Sequence, residues 1–380
     1  MAAGGPWRGA HARARVALLG VCLGLALLPV FHSDRDLLSS DWTAFATGAA
    51  LAAGPHPERL YDRDAQQRVQ DGITHGGGFT LRGQGRLLPF LSPPWVALLV
   101  LPFLALGLGW GARLFVLVQV AALMGGVALA RPRDRWAPLV VAASFPTLVL
   151  VLNVQLDALL VLGIGLAVAA DRRGRPLAAG LALGLTLVKP HLVVPLGCAL
   201  LLAGRWRTLA GWLLAGLALV ALATLRERHW MLDWLGATAA SVGRNGREID
   251  PAAWGWLLGL PERQATLLTV TVSLALLAIV LVAAARAGRP AALPVLVAGG
   301  VLVAPHALPG DLALAAFALA LAGWARPWDW MLFSALACAA AVAPEPWPPL
   351  VALALIGTLV ARTVAVRPPR PALAEHADVP

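Results

Sequence analysis

Long unbroken runs of Leu, Ala, Val and Gly, separated by short clusters of arginine, recur along almost the whole chain. They leave few folds open. With 59% hydrophobic and only 13% charged residues, a water-soluble domain of this length could not cover its own surface. In a bilayer every backbone N–H and C=O must be satisfied within the structure, so only helices and closed barrels cross. A barrel needs alternating strands of about ten residues. The runs here do not alternate, and their Gly and Pro content is one that spanning helices tolerate. The expected fold is all-α and polytopic. It forms a single integral membrane domain over residues 1–364, followed by a disordered cytoplasmic tail over 365–380.

Charge and cysteine narrow the class further. The net charge of +10 sits in short arginine clusters between apolar runs. That is the positive-inside pattern of a membrane protein rather than a basic groove, so no nucleic-acid partner is expected. Cys22, Cys198 and Cys338 lie inside apolar runs without metal or disulfide spacing, and read as small buried hydrophobes. The first run follows Arg8, Arg13 and Arg15 and ends at Pro29-Val30-Phe31. No small-x-small cleavage site closes it, so it reads as a retained first helix rather than a signal peptide.

The pattern predicts spans at 16–31, 112–130, 137–152, 156–170, 176–189, 190–203, 208–225, 265–285, 291–305, 311–325, 329–343 and 349–364. Several are shorter than the ~20 residues that cross upright, and must borrow flanking residues or thin the bilayer. The apolar run 95–108 decides the orientation. If it crossed, the clusters at Arg131–Arg135, Arg172–Arg175 and Arg205–Arg207 would face outward. If it dips in and returns, all three face the cytoplasm, together with Arg286, Arg326 and Arg362. The second solution satisfies every loop. It makes 95–108 a re-entrant or interfacial helix on the outer face and gives 12 crossings with both termini inside. The setting expected is the bacterial inner (plasma) membrane. The outer side then holds two long loops, 32–111 and 226–264, and several short turns.

Once sided, the unusual polar residues fall on the outer face: Asp34, Asp36 and Asp41; Asn153, Gln155 and Asp157; Lys189 and His191; Arg244 and Asn245; His306 and Asp311. A transporter would carry ionisable groups near mid-membrane. These lie at helix ends, at head-group depth, which favours chemistry on a lipid head group. Lys189 is the only lysine in the chain. It reads either as a snorkelling anchor or as a point charge on a lipid-linked phosphate. Asp41, before Trp42-Thr43-Ala44-Phe45, reads as a helix cap, as a general base for an acceptor hydroxyl, or as both. Tandem prolines after Phe90-Leu91-Ser92 suit the start of the re-entrant helix. Asn153, Gln155 and Asp157 either bond sugar hydroxyls or satisfy a turn. His306 is either structural or catalytic. No HExxH, CxxC, Walker, GxGxxG or GxSxG element stands in usable context, so nucleotide, dinucleotide and zinc chemistry lack support.

Taken in order, these elements resemble glycosyltransferase family 87, integral-membrane enzymes of the GT-C superfamily. The resemblance runs through Asp41-Trp42 with Phe45, Gly54 and Leu60-Tyr61-Asp62, then Ser92-Pro93-Pro94 and the Gln155 turn. It continues from Arg175 through the small-residue helix to Lys189-Pro190, then Arg205-Trp206-Arg207 and Pro305-His306. The resemblance implies a GT-C type fold and a polyprenyl-phosphate sugar donor, mannose being expected and arabinofuranose the alternative. It implies a periplasmic active site, a glycan or glycolipid acceptor, and a catalytic carboxylate in the first outer loop. Asp41 matches that carboxylate, with Asp34 or Asp36 as alternatives. Lys189 and His306 match positions that contact phosphate or assist catalysis. Ser92 departs from the aromatic often found before the tandem prolines, and a Gly-rich insertion lengthens the first loop.

The mechanism expected from these residues has the prenyl chain in the bilayer among membrane lipids. The donor phosphate lies near Lys189, with His191, Arg244 or His306 as helpers. Sugar or acceptor contacts come from Asn153, Gln155, Asp157, Trp42, Tyr61 and Ser92. Asp41 is the base of an inverting transfer, with His306 as the second catalytic residue. No metal and no cofactor are expected beyond the lipid-linked donor. Two other functions compete. A flippase of lipid-linked sugars would need a polar path and an internal repeat. A ligase or polymerase using a diphosphate-linked oligosaccharide would need cations in a large outer loop, where Arg226, Arg228, Arg244, Arg247 and Arg263 lie.

Overall fold

A computed structural model describes residues 6–75, 87–241, 248–288 and 291–366, and among these there is no β-strand. The N-terminal part comprises α1 (Pro6–Phe31), α2 (Asp34–Leu38), α3 (Trp42–Ala53), α4 (Arg63–His75), α5 (Pro94–Leu104) and α6 (Leu108–Ala130). The middle holds α7 (Ala137–Ala142), α8 (Phe145–Asn153), α9 (Asp157–Arg172), α10 (Pro176–Leu183), α11 (Val194–Leu202) and α12 (Trp206–Arg226). The rest is α13 (Trp230–Ala239), α14 (Trp254–Leu257), α15 (Glu262–Ala287), α16 (Ala292–Val303), α17 (Leu312–Ala322), α18 (Pro327–Val342) and α19 (Pro348–Ala365). Among the described residues, four helices are long and apolar enough to cross a membrane: α6, α12, α15 and α19. Shorter apolar helices, among them α3, α5, α16 and α18, pack with them.

Burial sorts these helices into centre and rim. α16 buries every residue from Pro294 to Val303, and α17 every residue from Leu312 to Ala320. α12 and α15 instead expose Leu213, Leu217, Leu225, Leu267, Leu274 and Ile279. Such an outward apolar face suits acyl chains. Small residues let the inner helices approach. A Cβ added at Gly165 would lie 2.2 Å from the Gly126 carbonyl oxygen, which brings α9 against α6. One added at Gly211 would lie 2.2 Å from the Leu177 oxygen, which brings α12 against α10. Close backbone approach of this kind is how helices associate where lipid removes the hydrophobic drive.

Two expected spans are broken, each at a proline. The run 137–152 divides at Ser144, which is extended (φ −76, ψ 154) ahead of α8 with its Pro146. The run 176–189 is α-helical only to Leu183 and then tightens into a 3-10 turn, Gly184–Val188. Lys189 leaves the helix at φ −138, ψ 72, and Pro190 opens a second 3-10 turn. A residue before proline is pushed out of the α region by the ring, so Pro190 dictates a break at Lys189. The apolar run at 95–108 forms the 11-residue α5 and ends before Leu108, where α6 begins. A helix of that length rises only about 16 Å and is too short to cross. α5 packs between α3 and α6, and the Trp95 indole N–H donates to the Leu187 carbonyl at 3.0 Å. That bond ties the start of α5 to the stretch leading into Lys189.

Candidate active site

The helix breaks deliver polar side chains to one end of the bundle. Lys189 Nζ donates to Gln155 Oε1 at 2.8 Å, to Asp157 Oδ2 at 3.0 Å and to Asp311 Oδ1 at 2.6 Å. An ammonium has three protons, and all three are engaged. The side chains of Asp157 and Asp311 are 0% and 3% exposed, and that of Lys189 is 14% exposed. Asp311 is held from its other oxygen by the Leu308 backbone N–H at 2.6 Å. Gln155 completes the chain, its amide Nε2 donating to Asp41 Oδ2. The Asp41 backbone N–H in turn donates to the Asn153 carbonyl at 3.3 Å.

Local backbone sets the direction of Gln155. Val154 has φ 54, ψ 49 in the left-handed region, which a β-branched residue rarely adopts. Such a conformation costs on the order of 1–3 kcal/mol and persists where surrounding structure holds it. Val154 is fully buried, and the turn it makes sends Gln155 toward both Asp41 and Lys189. Gly310 packs beneath that amide: a Cβ there would sit 3.0 Å from Gln155 Cγ.

These contacts bear on two residues that the sequence leaves open to two readings. Asp41 makes no side-chain cap to α3; its carboxylate faces Gln155. Burial pushes its carboxyl up to about 6, although the Lys189 charge and the Gln155 hydrogen bond pull the other way. Lys189 does not reach out to water as a snorkelling anchor would, since its charge is met inside the protein.

His306 lies beside this cluster, in the loop joining α16 to the Pro309–Asp311 turn. Its Nδ1 is 3.0 Å from Glu248 Oε1, and Glu248 is 1% exposed. Burial opposes a charge on His306, but the Glu248 hydrogen bond and the charges of Glu248, Asp250 and Asp311 outweigh it and raise the imidazole above its ordinary value. Asp250 Oδ2 accepts the Ala307 N–H at 2.9 Å. Burial pushes the Asp250 carboxyl up to about 7, with the Ala307 bond opposing. His191 lies within electrostatic reach of Asp311, His306 and Lys189.

The remaining expected residues are placed differently. Trp42 is fully buried, donates its indole N–H to the Leu108 carbonyl at 2.9 Å and packs on Phe115, so it anchors α3 and offers no face to a sugar. Tyr61 is buried, with its hydroxyl donating to the Ser92 carbonyl at 2.8 Å. That bond fastens the first loop to the start of α5. Asn153 contributes its carbonyl to the site while its side chain is exposed. Asp34 pairs with Arg113 at 2.7 Å on the surface, and Asp36 is exposed at the start of α2. Of Asp34, Asp36 and Asp41, only Asp41 bonds to Gln155. Arg244 lies outside the described residues. Sequence reading overlooked Glu248 and Asp250. Their one signal was an acidic pair, Glu248-Ile249-Asp250, just past the arginines of the second loop.

Comparison with known proteins gives one family. The model of glycosyltransferase family 87 matches residues 90–309. That stretch includes Gln155, Asp157, Lys189, Glu248 and His306 and begins after Asp41. No curated protein and no solved structure matches the chain.

Proposed function

The chain belongs to glycosyltransferase family 87, and we propose that it transfers mannose from a polyprenyl-phosphate carrier to a glycan or glycolipid acceptor. A membrane glycosyltransferase follows from the family and from the apolar helices; the sugar, the carrier and the route are our reading. One observation carries it. Asp41, the candidate base, is joined through Gln155 to a largely buried lysine at the end of the bundle where His306 also lies.

In this reading the prenyl chain lies along the apolar flank of the bundle. Each CH₂ it buries contributes about 0.8 kcal/mol. The acceptor hydroxyl approaches Asp41, whose Oδ2 is held by Gln155, so Oδ1 is the oxygen that takes the proton. The hydroxyl oxygen forms a bond to the anomeric carbon. The bond from that carbon to the phosphate oxygen breaks, and its electron pair leaves with the phosphate. A single displacement inverts the anomeric carbon and passes through an oxocarbenium-like state.

The ion pairs refine the part given to each cation. Lys189 already serves three acceptors, so its first task is to fix Gln155 and through it Asp41. The leaving phosphate is then met by His306, with Arg244 as the other cation and His191 as a further hydrogen-bonding group. Pre-placed cations of this kind lower the barrier to departure of charge. No metal ion is invoked, and turnover should survive EDTA treatment of the membranes. We further place the site on the periplasmic face of the bacterial inner membrane, with 12 crossings, α5 re-entrant and both termini cytoplasmic. The arginine clusters at Arg131–Arg135 and Arg172–Arg175 support that orientation.

The test uses membranes carrying the protein and labelled polyprenyl-phosphate-mannose. Wild-type membranes should release prenyl phosphate and move label to an acceptor. Asp41→Asn should cut the rate by about 10²–10⁴-fold, the range for removing a positioned base. Near-normal turnover in that variant, or no label transfer by the wild type, would overturn the reading.

A further inference from the structure

We propose that Glu248 is the positioning residue for His306, clamping its Nδ1 side so that Nε2 is presented to the departing phosphate. The inference rests on the glycosyl-transfer reading of the site, and it stands on the way two distant segments are stapled together. The Ile249 backbone N–H donates to the Ala307 carbonyl at 2.8 Å, and the Ala307 N–H returns a bond to Asp250 Oδ2 at 2.9 Å. One residue earlier in each segment, Glu248 Oε1 contacts His306 Nδ1 at 3.0 Å. Ile249 and Ala307 are both fully buried.

The acidic segment is itself anchored from behind. Thr269 on α15 donates its hydroxyl to the Ala252 carbonyl at 2.8 Å. Gly255 packs so closely on α15 that an added Cβ would lie 2.8 Å from Ala265 Cα. Glu248 therefore sits on a rigid support, and replacing its side chain leaves the Ile249 and Asp250 bonds to Ala307 in place.

The chemistry follows from having one ring nitrogen fixed. With Nδ1 facing a carboxylate, the imidazole carries its proton there, and the second nitrogen is the one directed to substrate. The side chain of His306 is 26% exposed while that of Glu248 is 0% exposed, so the imidazole opens toward the site and the carboxylate does not. When both nitrogens carry protons, Nε2–H donates to the phosphate oxygen that receives the electron pair from the broken C–O bond. The charged groups acting on His306 are Glu248, Asp250 and Asp311, with Asp41 and His191 also in reach. Glu248 alone of these makes a hydrogen bond to the ring.

Three variants, Glu248→Gln, Glu248→Asp and His306→Gln, test the proposal in purified full-length protein and in membranes. The first readout is independent of turnover. Modification of His306 by diethyl pyrocarbonate is followed by peptide mass spectrometry across pH, and its midpoint reports the imidazole. E248Q should move that midpoint down by about one unit, the size of losing an opposite charge at contact, and E248D should restore most of the shift. The second readout is transfer. E248Q should lower kcat about tenfold with little change in acceptor KM, and the E248Q/H306Q double variant should lose no more than H306Q alone. An unmoved midpoint in E248Q, or losses that multiply in the double variant, would overturn the role of Glu248. If E248Q does not fold, Glu248→Ala replaces it: an unmoved midpoint with normal kcat in that variant would equally overturn it. Absence of transfer by the wild type sinks the transferase reading instead, while the modification midpoint still reports whether Glu248 governs His306.

Discussion

Replacing Lys189 by methionine keeps the length of the side chain and removes its charge, and the surrounding contacts set the consequence. The ammonium is the partner of Asp157 at 3.0 Å and of Asp311 at 2.6 Å, in a cluster where neither carboxylate is more than 3% exposed. Removing one member of a buried ion pair costs about 3–5 kcal/mol, because the charge left behind has no compensation. The two carboxylates are not equally stranded. Asp311 keeps the Leu308 N–H, whereas Asp157 Oδ1 is buried without a hydrogen bond, and loss of the Lys189 bond to Oδ2 leaves Asp157 only the Asp311 carboxyl beside it. At about 2 °C per kcal/mol for a large chain, Lys189→Met should lower the melting midpoint by roughly 6–10 °C. Most of the relief should come from neutralising Asp157, so Lys189→Met with Asp157→Asn should recover about half of the loss. The assay is thermal unfolding of detergent-solubilised protein, read as the surviving monodisperse peak in size-exclusion chromatography. A single variant melting within about 1 °C of wild type, or a double variant no better than the single, would show that Lys189 is a dispensable surface anchor and that the buried ion pairs are not formed.

Two further predictions bear on Asp41 and its support. Burial raises the Asp41 carboxyl to about 6, and a base must be ionised to accept a proton. The transfer rate should therefore fall as pH drops through about 6 and be about tenfold lower at pH 5, where an ordinary carboxylate would still be largely ionised. A rate profile flat down to pH 5 would remove Asp41 as the titrating base. Gly310→Ala would place a Cβ 3.0 Å from Gln155 Cγ and push the amide by a few tenths of an ångström. Transfer should drop about tenfold, since positioning errors of this order are costly, while the melting midpoint stays within about 2 °C.

The ionisable part of the site was legible because the chain is so apolar. One lysine and a few carboxylates among long hydrophobic runs cannot be placed casually, and Asp41, Gln155, Asp157 and Lys189 do converge. What pattern could not give was pairing across sequence. Lys189 reads as an isolated charge until Asp311 and Asp157 are brought to it by separate helices, and His306 reads as a lone histidine until Glu248 folds back onto it. Aromatic residues misled for the opposite reason. Trp42 stands next to Asp41 in sequence, but the turn into α3 sends its indole to the Leu108 carbonyl and the Phe115 ring. The broken spans at 137–152 and 176–189 were missed because hydrophobicity is continuous across them. Only the proline chemistry at Pro146 and Pro190 marks the breaks, and Pro190 is what turns Lys189 inward.

Charge balance decides which side of this cluster a lipid phosphate can approach. Asp41, Asp157 and Asp311 are three carboxylates around one ammonium, so their immediate surroundings do not favour a further anion. A hydroxyl losing its proton suits that region, because the proton has a buried carboxylate to receive it. A phosphate gaining charge needs the opposite surroundings, which a protonated His306 can supply and the aspartates cannot. In a displacement with inversion, the incoming oxygen and the departing phosphate lie on opposite faces of the sugar ring. On the proposed reading the sugar is held between Asp41 and the histidines, and Lys189 serves as the fixed point that aligns Gln155 on one side and Asp311 on the other. A donor phosphate drawn to Lys189 itself would have to displace Gln155, Asp157 or Asp311, each bonded within 3.0 Å, and would disturb the base in the act of binding.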